Sequence, residues 1–171
     1  MLKQIKDVIF MLEWKWREKN IAIEFDVPDI TIKGDENLLH QVWSNIFTNS
    51  IKFSNEGGTI EFFVEELESS VIISISDTGI GIGKDEIARI FDRFYRVDKA
   101  RTRNTGGSGL GLSIVKNIVE LHNGTVSVYS MKLGKGLLFG WSFQNRGKRL
   151  CGNGLFFLSF FVGKSIYLKN R

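Results

Sequence analysis

An apolar run that ends in an acid and two glycines is the strongest constraint on this chain. Val71 to Ser76 has the character of a β-strand, and Asp77-Thr78-Gly79-Ile80-Gly81 follows directly. A strand that leads a carboxylate into a glycine-rich turn places a charged acceptor where a ligand can approach the backbone closely. Alone, such a pentapeptide is most often a tight turn, so a ligand role depends on what the rest of the chain supplies.

The composition indicates one domain, or one domain with an appendage. The 171 residues are 43% apolar, which is enough for a hydrophobic core. The single cysteine, Cys151, excludes an internal disulfide framework and indicates a reducing compartment. No stretch reaches the roughly 18 apolar residues that a membrane span needs, and the first residues do not resemble a secretory signal.

Charge is distributed unevenly along the chain. Residues 131–171 contain eight of the 23 Lys and Arg but none of the 19 Asp and Glu, so residues 1–130 carry a net charge of −4 although the whole chain carries +4. A basic chain suggests nucleic-acid or membrane binding. Because the excess lies wholly in the C-terminal tail, we do not predict a nucleic-acid-binding domain.

Periodicity of the apolar residues predicts a chain of mixed helices and strands. The first predicted elements are a helix over residues 1–19, a strand over 21–27, a helix after Gly34-Asp35, and an antiparallel pair of strands over 59–64 and 71–76. They are followed by a short helix that opens with Lys84-Asp85-Glu86 and continues over 87–91, and by a helix that follows Gly111 and ends at Asn123-Gly124. The last two are a strand over 125–130 and a possible final strand over 137–143.

The helix after Gly34-Asp35 carries three polar side chains on one face. Asn45, Asn49 and Lys52 are spaced by four and three residues, and their face borders the apolar stripe of the helix. Asparagine is a poor helix former, so these positions have a cost in stability. They are either ordinary solvated positions or the rim of a pocket, in which the carboxamide of Asn49 would suit Mg²⁺.

A glycine-rich loop opens the second long helix. Residues 96–105 contain four cations and little apolar surface, so we expect this segment to be mobile. It leads into Gly106-Gly107-Ser108-Gly109-Leu110-Gly111, and glycines at a helix start expose backbone N–H groups to an anion. The loop matches neither a Walker loop nor a dinucleotide fingerprint, but the upstream cations favour phosphate binding.

Together these parts predict one ATP site. We expect Asp77 to accept a hydrogen bond from the exocyclic amine of adenine, with Gly79 and Gly81 letting the ring lie against the backbone. Asn49 would hold Mg²⁺ against phosphate oxygens. The glycine loop would surround the phosphates, with Lys52 adding positive charge.

The chain resembles the catalytic ATP-binding domain of bacterial sensor histidine kinases. The wider superfamily also contains gyrase-type topoisomerases, mismatch-repair ATPases and a chaperone ATPase. Four family motifs occur in order, between about Ile5 and Phe139. They are the asparagine box over residues 45–53, with Ser50 where alanine is usual, the first glycine box over 77–82, the phenylalanine box over 90–96 and the second glycine box over 107–112.

The resemblance implies an α+β fold, a two-layer α/β sandwich in which a mixed, mainly antiparallel sheet packs on helices. ATP would lie between the layers under a mobile lid over about residues 98–108. Asn45 and Lys52 would act in catalysis, and Asn49 would bind Mg²⁺. Nucleotide contacts would come from Asn49, Asp77, Gly79, Gly81, Ile82, Tyr95, Arg96, Gly107, Gly109, Leu110 and Gly111.

The function implied is that of a two-component kinase domain, which donates the γ-phosphoryl group of ATP to a histidine on a separate helical dimerisation domain. A response regulator would act downstream, and the domain would be cytoplasmic, with membrane contact only through a sensor region that this chain lacks. The ATPases of the superfamily carry a Glu where this chain has Asn45, and an amide cannot take a proton from water. The alternatives are a gyrase or mismatch-repair type of ATPase switch and a truncated, non-catalytic remnant.

The phosphoacceptor itself is missing. His40 and His122 lie outside the family's acceptor motif, so we expect both to be structural or surface residues. The chain therefore resembles a catalytic fragment, one that begins at an internal methionine and needs its helical domain in cis or in trans.

The C-terminal tail departs from the family pattern. We expect the ATP-binding domain to span residues 1–143 and the basic, apolar tail to span 144–171. We hypothesise that the sequence from about Leu137 or Gln144 onward is out of frame or otherwise altered, since acids are absent there and the closing strand of the family is hard to identify. The alternative is a genuine appendage that contacts a membrane surface or a partner.

Overall fold

The protein is described by a computed structural model that covers residues 2–26, 31–67, 70–97, 107–130 and 136–144. Helices and strands are mixed along this part of the chain. In order they are α1 (Leu2–Met11), α2 (Glu13–Glu18), β1 (Ala22–Asp26), α3 (Glu36–Phe53), β2 (Thr59–Glu66), β3 (Ser70–Asp77), α4 (Lys84–Ile87), α5 (Gly111–Leu121), β4 (Gly124–Ser130) and β5 (Leu137–Gln144).

The strands form one five-stranded sheet in the order β1-β2-β3-β5-β4. Only β1 and β2 run parallel, and the other neighbouring pairs are antiparallel. The predicted pairing of residues 59–64 with 71–76 is confirmed, and so is the mixed, mainly antiparallel sheet. β3 lies at the centre of the sheet and is hydrogen-bonded to β2 on one side and to β5 on the other. Asp77, the last residue of β3, is therefore held by strands on both sides.

The helices cover the inward face of the sheet. α3 contacts α1, α5 and β3, and α5 also contacts β4. Aromatic side chains join the two layers: the Trp43 and Trp141 rings meet edge to face at 5.8 Å, and the Phe47 and Phe62 rings lie 5.4 Å apart. Burial of these large apolar surfaces fixes α3 on the sheet, and α3 in turn carries the asparagine box.

The N-terminal helical segment is broken, whereas the sequence predicts one helix over residues 1–19. α1 ends at Met11 and α2 begins at Glu13. The Trp16 indole donates a hydrogen bond to the Ile9 carbonyl at 3.0 Å. The Ile9 carbonyl at the break is thus bonded by a side chain of the same segment, and a local side-chain contact, not a helix-breaking residue, marks the interruption.

The short helix after the first glycine box begins at Lys84, as predicted, but it ends before the predicted Phe91. α4 spans Lys84–Ile87. The chain then continues in turns, in which Arg89 N–H donates to Glu86 and Asp92 N–H donates to Arg89. Hydrogen bonds between residues three apart form turns that are tighter than those of an α-helix, so the α-helix does not continue here.

The closing strand is present: the final strand predicted over residues 137–143 is confirmed as β5, and the hypothesis that the closing strand of the family is missing is wrong. β5 pairs along its length with β3 on one side and β4 on the other. Its alternate residues Leu137, Phe139, Trp141 and Phe143 are buried in the core. The earlier of the two proposed starting points for an altered sequence, Leu137, therefore disagrees with the fold, and residues 145–171 lie outside the described residues.

His122 has a structural role, as expected. Its Nδ1 donates to the Ile118 carbonyl at 2.7 Å, and its Nε2 accepts from the Asp35 N–H at 3.0 Å, a tautomer assigned from these partners. The ring therefore links the end of α5 to the start of α3. Among the described residues, no helix is long and apolar enough to cross a membrane.

Candidate functional site

The Asp77 carboxylate is buried at the end of β3 and is held by the backbone. One oxygen, Oδ1, accepts from Gly79 N–H at 2.9 Å and from Leu137 N–H at 3.2 Å. Only 4% of the residue is exposed. Both backbone donors act on Oδ1, so the backbone anchors this oxygen and leaves Oδ2 to other donors.

Burial raises the pKa of Asp77 to about 6, against the lowering effect of the Gly79 and Leu137 N–H groups and of the Ser50 hydroxyl. Loss of solvent disfavours the charged form, and the two backbone donors offset part of that cost. The carboxylate is therefore kept in an environment that favours a hydrogen-bond donor as partner. A carboxylate in such an environment is suited to accept a hydrogen bond from an amine.

Glycines at this turn allow close backbone contacts. A Cβ on Gly79 would collide with the Phe53 carbonyl oxygen and lie 2.8 Å from Asp77 Oδ1. A Cβ on Gly136 would collide with the Asp77 carbonyl oxygen, and Gly136 has φ of 76°. Gly81 also adopts a left-handed backbone, with φ of 68°. The glycines therefore let the turn, α3 and the start of β5 meet around one carboxylate.

The predicted polar face of α3 lies against the start of α5. A Cβ on Gly111 would lie 3.2 Å from Asn45 Oδ1 and 3.9 Å from Asn49 Nδ2. The Asn45 Nδ2 donates to the Gln41 carbonyl at 3.0 Å, which fixes the orientation of the amide. The two asparagines, far from the second glycine box in sequence, are thus beside it in the fold.

Positive charge gathers next to these asparagines. The pKa of Lys52 is lowered by burial first and by the Arg96 guanidinium second, so the two cations are close enough to repel each other. A Cβ on Gly107 would lie 3.1 Å from Lys52 Nζ. Like charges held together are less costly when an anion lies between them, so this cluster suits a phosphate chain.

The phenylalanine box is joined directly to the second glycine box. Phe94 N–H donates to the Gly109 carbonyl at 3.0 Å. Both residues have left-handed backbones, with φ of 64° and 71°, and a Cβ on Gly109 would approach the Phe94 backbone to 2.8 Å. The Arg89 guanidinium lies 4.4 Å from the centre of the Tyr95 ring, which supports the side chain next to Arg96.

The start of α5 has the features of an anion site. Leu110 occupies the N-cap position, and its side chain caps no N–H group. Ser108 Oγ accepts from Leu110 N–H at 3.3 Å. Helix N–H groups that no side chain caps point away from the helix, together with the positive end of its dipole. Gly111 at this helix start lies beside Asn45, and Gly107 just before it lies beside Lys52.

Most predicted site residues lie in three segments that converge at the C-terminal half of α3. Ile82 N–H donates to Ser130 Oγ at 3.1 Å, which ties the first glycine box to the end of β4. Residues 98–106 of the predicted lid lie outside the described residues. The sequence analysis missed the Leu137 N–H and Gly136, for which the glycine immediately before an alternating strand is the available signal.

A match to a protein-family model shows which family this chain belongs to. The model described as "Histidine kinase-, DNA gyrase B-, and HSP90-like ATPase" matches residues 34–147, more than half of the chain. The chain belongs to this family. The match includes the asparagine box, both glycine boxes and the whole of β5, and it confirms the resemblance predicted from the four motifs.

The relatives are sensor kinases. The chain is 43% identical over 124 residues to the sensor histidine kinase WalK of Bacillus subtilis (strain 168), covering 70% of this chain and 20% of that protein. It is 47% identical over 109 residues to the sensor protein CiaH of Streptococcus pneumoniae serotype 4, covering 64% of this chain and 24% of that protein. The chain therefore corresponds to the catalytic portion of these relatives and spans about a fifth to a quarter of their length.

Solved structures of the family share the fold. The mycobacterial sensor histidine kinase MprB superposes with a TM-score of 0.74 at 29% identity, over 86% of this chain and 97% of that one. The histidine kinase ThkA in complex with the response regulator TrrA superposes with a TM-score of 0.69 at 25% identity, over 84% of this chain and 40% of that one.

Proposed function

We propose that this domain binds Mg²⁺–ATP and donates the γ-phosphoryl group to a histidine on a separate helical dimerisation domain. The observation that carries the proposal is the convergence of Asp77, the two asparagines and the start of α5 around one side of α3. The buried carboxylate offers Oδ2 to the adenine amine. The uncapped helix start and the positive charge of Lys52 and Arg96 would attract the phosphates.

Magnesium fits the oxygen donors at the phosphate end. Among the described residues, no group of three or more His, Cys, Asp or Glu side chains could hold a metal. Mg²⁺ often takes few protein ligands and completes its shell with phosphate oxygens and water. Asn49 would hold the ion through its carboxamide oxygen, and the bound ion would neutralise charge that develops on the phosphates.

Transfer to another molecule is favoured over hydrolysis. Asn45 stands where a hydrolytic member of the superfamily carries a glutamate. Its amide is committed to the Gln41 carbonyl through Nδ2, and an amide oxygen has no useful basicity. A nucleophile that arrives already in its reactive form, such as a neutral imidazole, needs no such base. Asn45 and Lys52 would then orient and stabilise the phosphoryl group.

The proposed partners follow from this reaction. The acceptor histidine lies on a dimerisation domain, joined in cis or supplied in trans, and a response regulator would receive the phosphoryl group next. The domain would act in the cytoplasm, where ATP is available. We place the ATP-binding domain at residues 1–143 and treat 144–171 as a separate segment.

Phosphotransfer can be tested with radiolabelled ATP and a helical dimerisation domain from a related sensor kinase. We expect label on the acceptor domain that is labile to acid and stable to base, as for phosphohistidine. Replacing the acceptor histidine should remove the label without changing ATP binding. Release of free phosphate at the same rate with and without the acceptor would instead support an ATPase.

A further inference from the structure

We propose that Lys19 is a positioning residue of the ATP site, whose ammonium group holds the last turn of α3 in the conformation that presents Lys52 to the phosphates. The inference rests on the proposed function and adds a residue that acts through Lys52, not on the nucleotide. Lys19 lies in the turn between α2 and β1, outside the four family motifs.

The Lys19 side chain ends at the C-terminus of α3. Its Nζ donates hydrogen bonds to three carbonyl groups there, those of Ile51 at 2.9 Å, Lys52 at 2.9 Å and Ser54 at 3.0 Å. An ammonium group has three N–H donors and no acceptor, so these bonds use its full hydrogen-bonding capacity. Because the donor is charged, they are stronger than bonds between neutral groups. Lys19 is therefore committed to α3.

The last turn of α3 depends on groups from outside the helix. The final carbonyls of a helix have no partner within it, and helix ends fray. Here the Phe53 carbonyl accepts from Ile80 N–H at 3.2 Å, and the carbonyls on either side of it accept from Lys19. The cation also offsets the negative end of the helix dipole. Without Lys19, these carbonyls would have to turn to water, and the turn could unwind.

The same turn carries parts of both ends of the candidate site. Lys52 is the last helical residue but one, and a Cβ on Gly107 in the second glycine box would lie 3.1 Å from its Nζ. The Phe53 carbonyl holds the first glycine box through Ile80 N–H. Unwinding of this turn would therefore move the Lys52 cation away from the phosphate end.

Lys19 is itself held in place through the backbone. Its carbonyl accepts from Gly57 N–H at 2.9 Å, and Ala22 N–H donates to the Gly58 carbonyl at 2.8 Å. These bonds join the turn before β1 to the turn after α3, and β1 then pairs with β2. A supporting side chain can orient another only when its own position is fixed, and Lys19 meets this condition.

The test is a double-mutant cycle between Lys19 and Lys52 on the full chain, measured by equilibrium binding of Mg²⁺–ATP. Lys19→Met keeps an unbranched side chain but removes the charge and all three donors, and we expect it to weaken ATP binding about three- to thirtyfold. In a Lys52→Met background the same substitution should have little further effect, because the side chain that Lys19 positions is already gone. A purely structural role would lower the stability in both backgrounds and leave the affinity of the folded protein unchanged.

Lys15→Met is the matched control. It removes a positive charge from α2, beside the Trp14 ring, and should bind ATP normally. Thermal unfolding should show that each variant is folded at the temperature of the binding measurement. If Lys19→Met is not, Lys19→Gln, which keeps two N–H donors, takes its place in the cycle with a smaller expected loss.

The two ways of failing are distinct. Unchanged ATP affinity after the Lys19 substitution, or an equal loss with and without Lys52, would overturn the inference while the ATP site stands. If the unmodified protein does not bind Mg²⁺–ATP, the proposed function itself fails.

Discussion

The two ends of the candidate site are built differently. At the Asp77 end, one carboxylate oxygen is fixed by two backbone N–H groups inside the core. At the phosphate end, Lys52 and Arg96 lie near exposed Gly107, and their mutual repulsion contributes to the lowered pKa of Lys52. One end offers a single buried acceptor, and the other offers a cluster of donors and cations close to solvent.

The difference separates specificity from charge recognition. A buried, anchored acceptor discriminates strongly because a mismatched ligand group is left without a partner. Partly exposed cations such as Lys52 and Arg96 are screened by salt and attract any polyphosphate. We therefore expect substitutions at the Asp77 end to change which nucleotide binds, and substitutions at the phosphate end to change how tightly any nucleotide binds.

Asp77→Asn should have the largest effect on binding. The amide would place an NH₂ group or an equally poor partner opposite the adenine amine, so ATP affinity should fall by about 1–3 kcal/mol or more. Equilibrium binding of Mg²⁺–ATP measures the loss. Asp92→Asn, which neutralises an exposed aspartate, is the matched control and should bind normally. If Asp77→Asn bound ATP as tightly as the unmodified protein, Asp77 could not be the residue that recognises adenine.

Gly79→Ala should damage the same end through the backbone. The new Cβ collides with the Phe53 carbonyl oxygen, a backbone atom that cannot move away cheaply. We expect a loss of about 1–3 kcal/mol in the free energy of unfolding, typical of overpacking, and weaker ATP binding. Gly83→Ala is the control, because its Cβ meets only the flexible Glu86 side chain. Urea unfolding of both variants would show whether the turn is as tight as described.

The raised pKa of Asp77 predicts a distinctive pH dependence of stability. Between the ordinary value of 3.8 and the folded value of about 6, the folded state holds a proton that the unfolded state has released. The contribution of Asp77 to the free energy of unfolding should therefore fall as pH rises through this window, by about 1–3 kcal/mol, and stay constant above it.

Urea unfolding across this pH range, compared between the unmodified protein and Asp77→Asn, isolates that contribution from the other carboxylates. The variant should be relatively more stable at neutral pH, and the difference should shrink as the pH falls toward 4. A constant difference between the two proteins would mean that Asp77 titrates normally.

Arg96→Gln should have the smallest effect, and on a different quantity. Removing the guanidinium relieves the repulsion on Lys52, so the pKa of Lys52 should rise in an NMR titration. ATP affinity should fall by about 1 kcal/mol or less at physiological salt, with adenosine binding unchanged. Arg93→Gln, an exposed cation in the same segment, should alter neither. A loss of adenosine binding would contradict the division between the two ends.

The sequence predicts the elements and the four motifs well because each has a local signal. Alternation marks the strands, the 3.6-residue period marks α3 and α5, and the glycines mark the turns. The break at Leu12 and the end of α4 have no such signal, since they depend on the Trp16 indole and on turn hydrogen bonds.

Long-range contacts are the part that the sequence does not predict. The Leu137 N–H reaches Asp77 across 60 residues, and Phe94 meets Gly109 at two residues that both have left-handed backbones. Neither pairing follows from the residue types alone. The strand over residues 137–143 has a local signal in its apolar residues, but its place between β3 and β4 depends on long-range pairing that the sequence does not predict.

The most direct test of this account is an NMR titration of the Asp77 side-chain carboxyl in the free and ATP-bound chain. We predict a pKa near 6 without nucleotide and a clear fall when Mg²⁺–ATP binds, because the adenine amine stabilises the ionised carboxylate. An ordinary pKa near 3.8 in the free protein, or a value that ATP leaves unchanged, would contradict the claim that this buried carboxylate recognises the base.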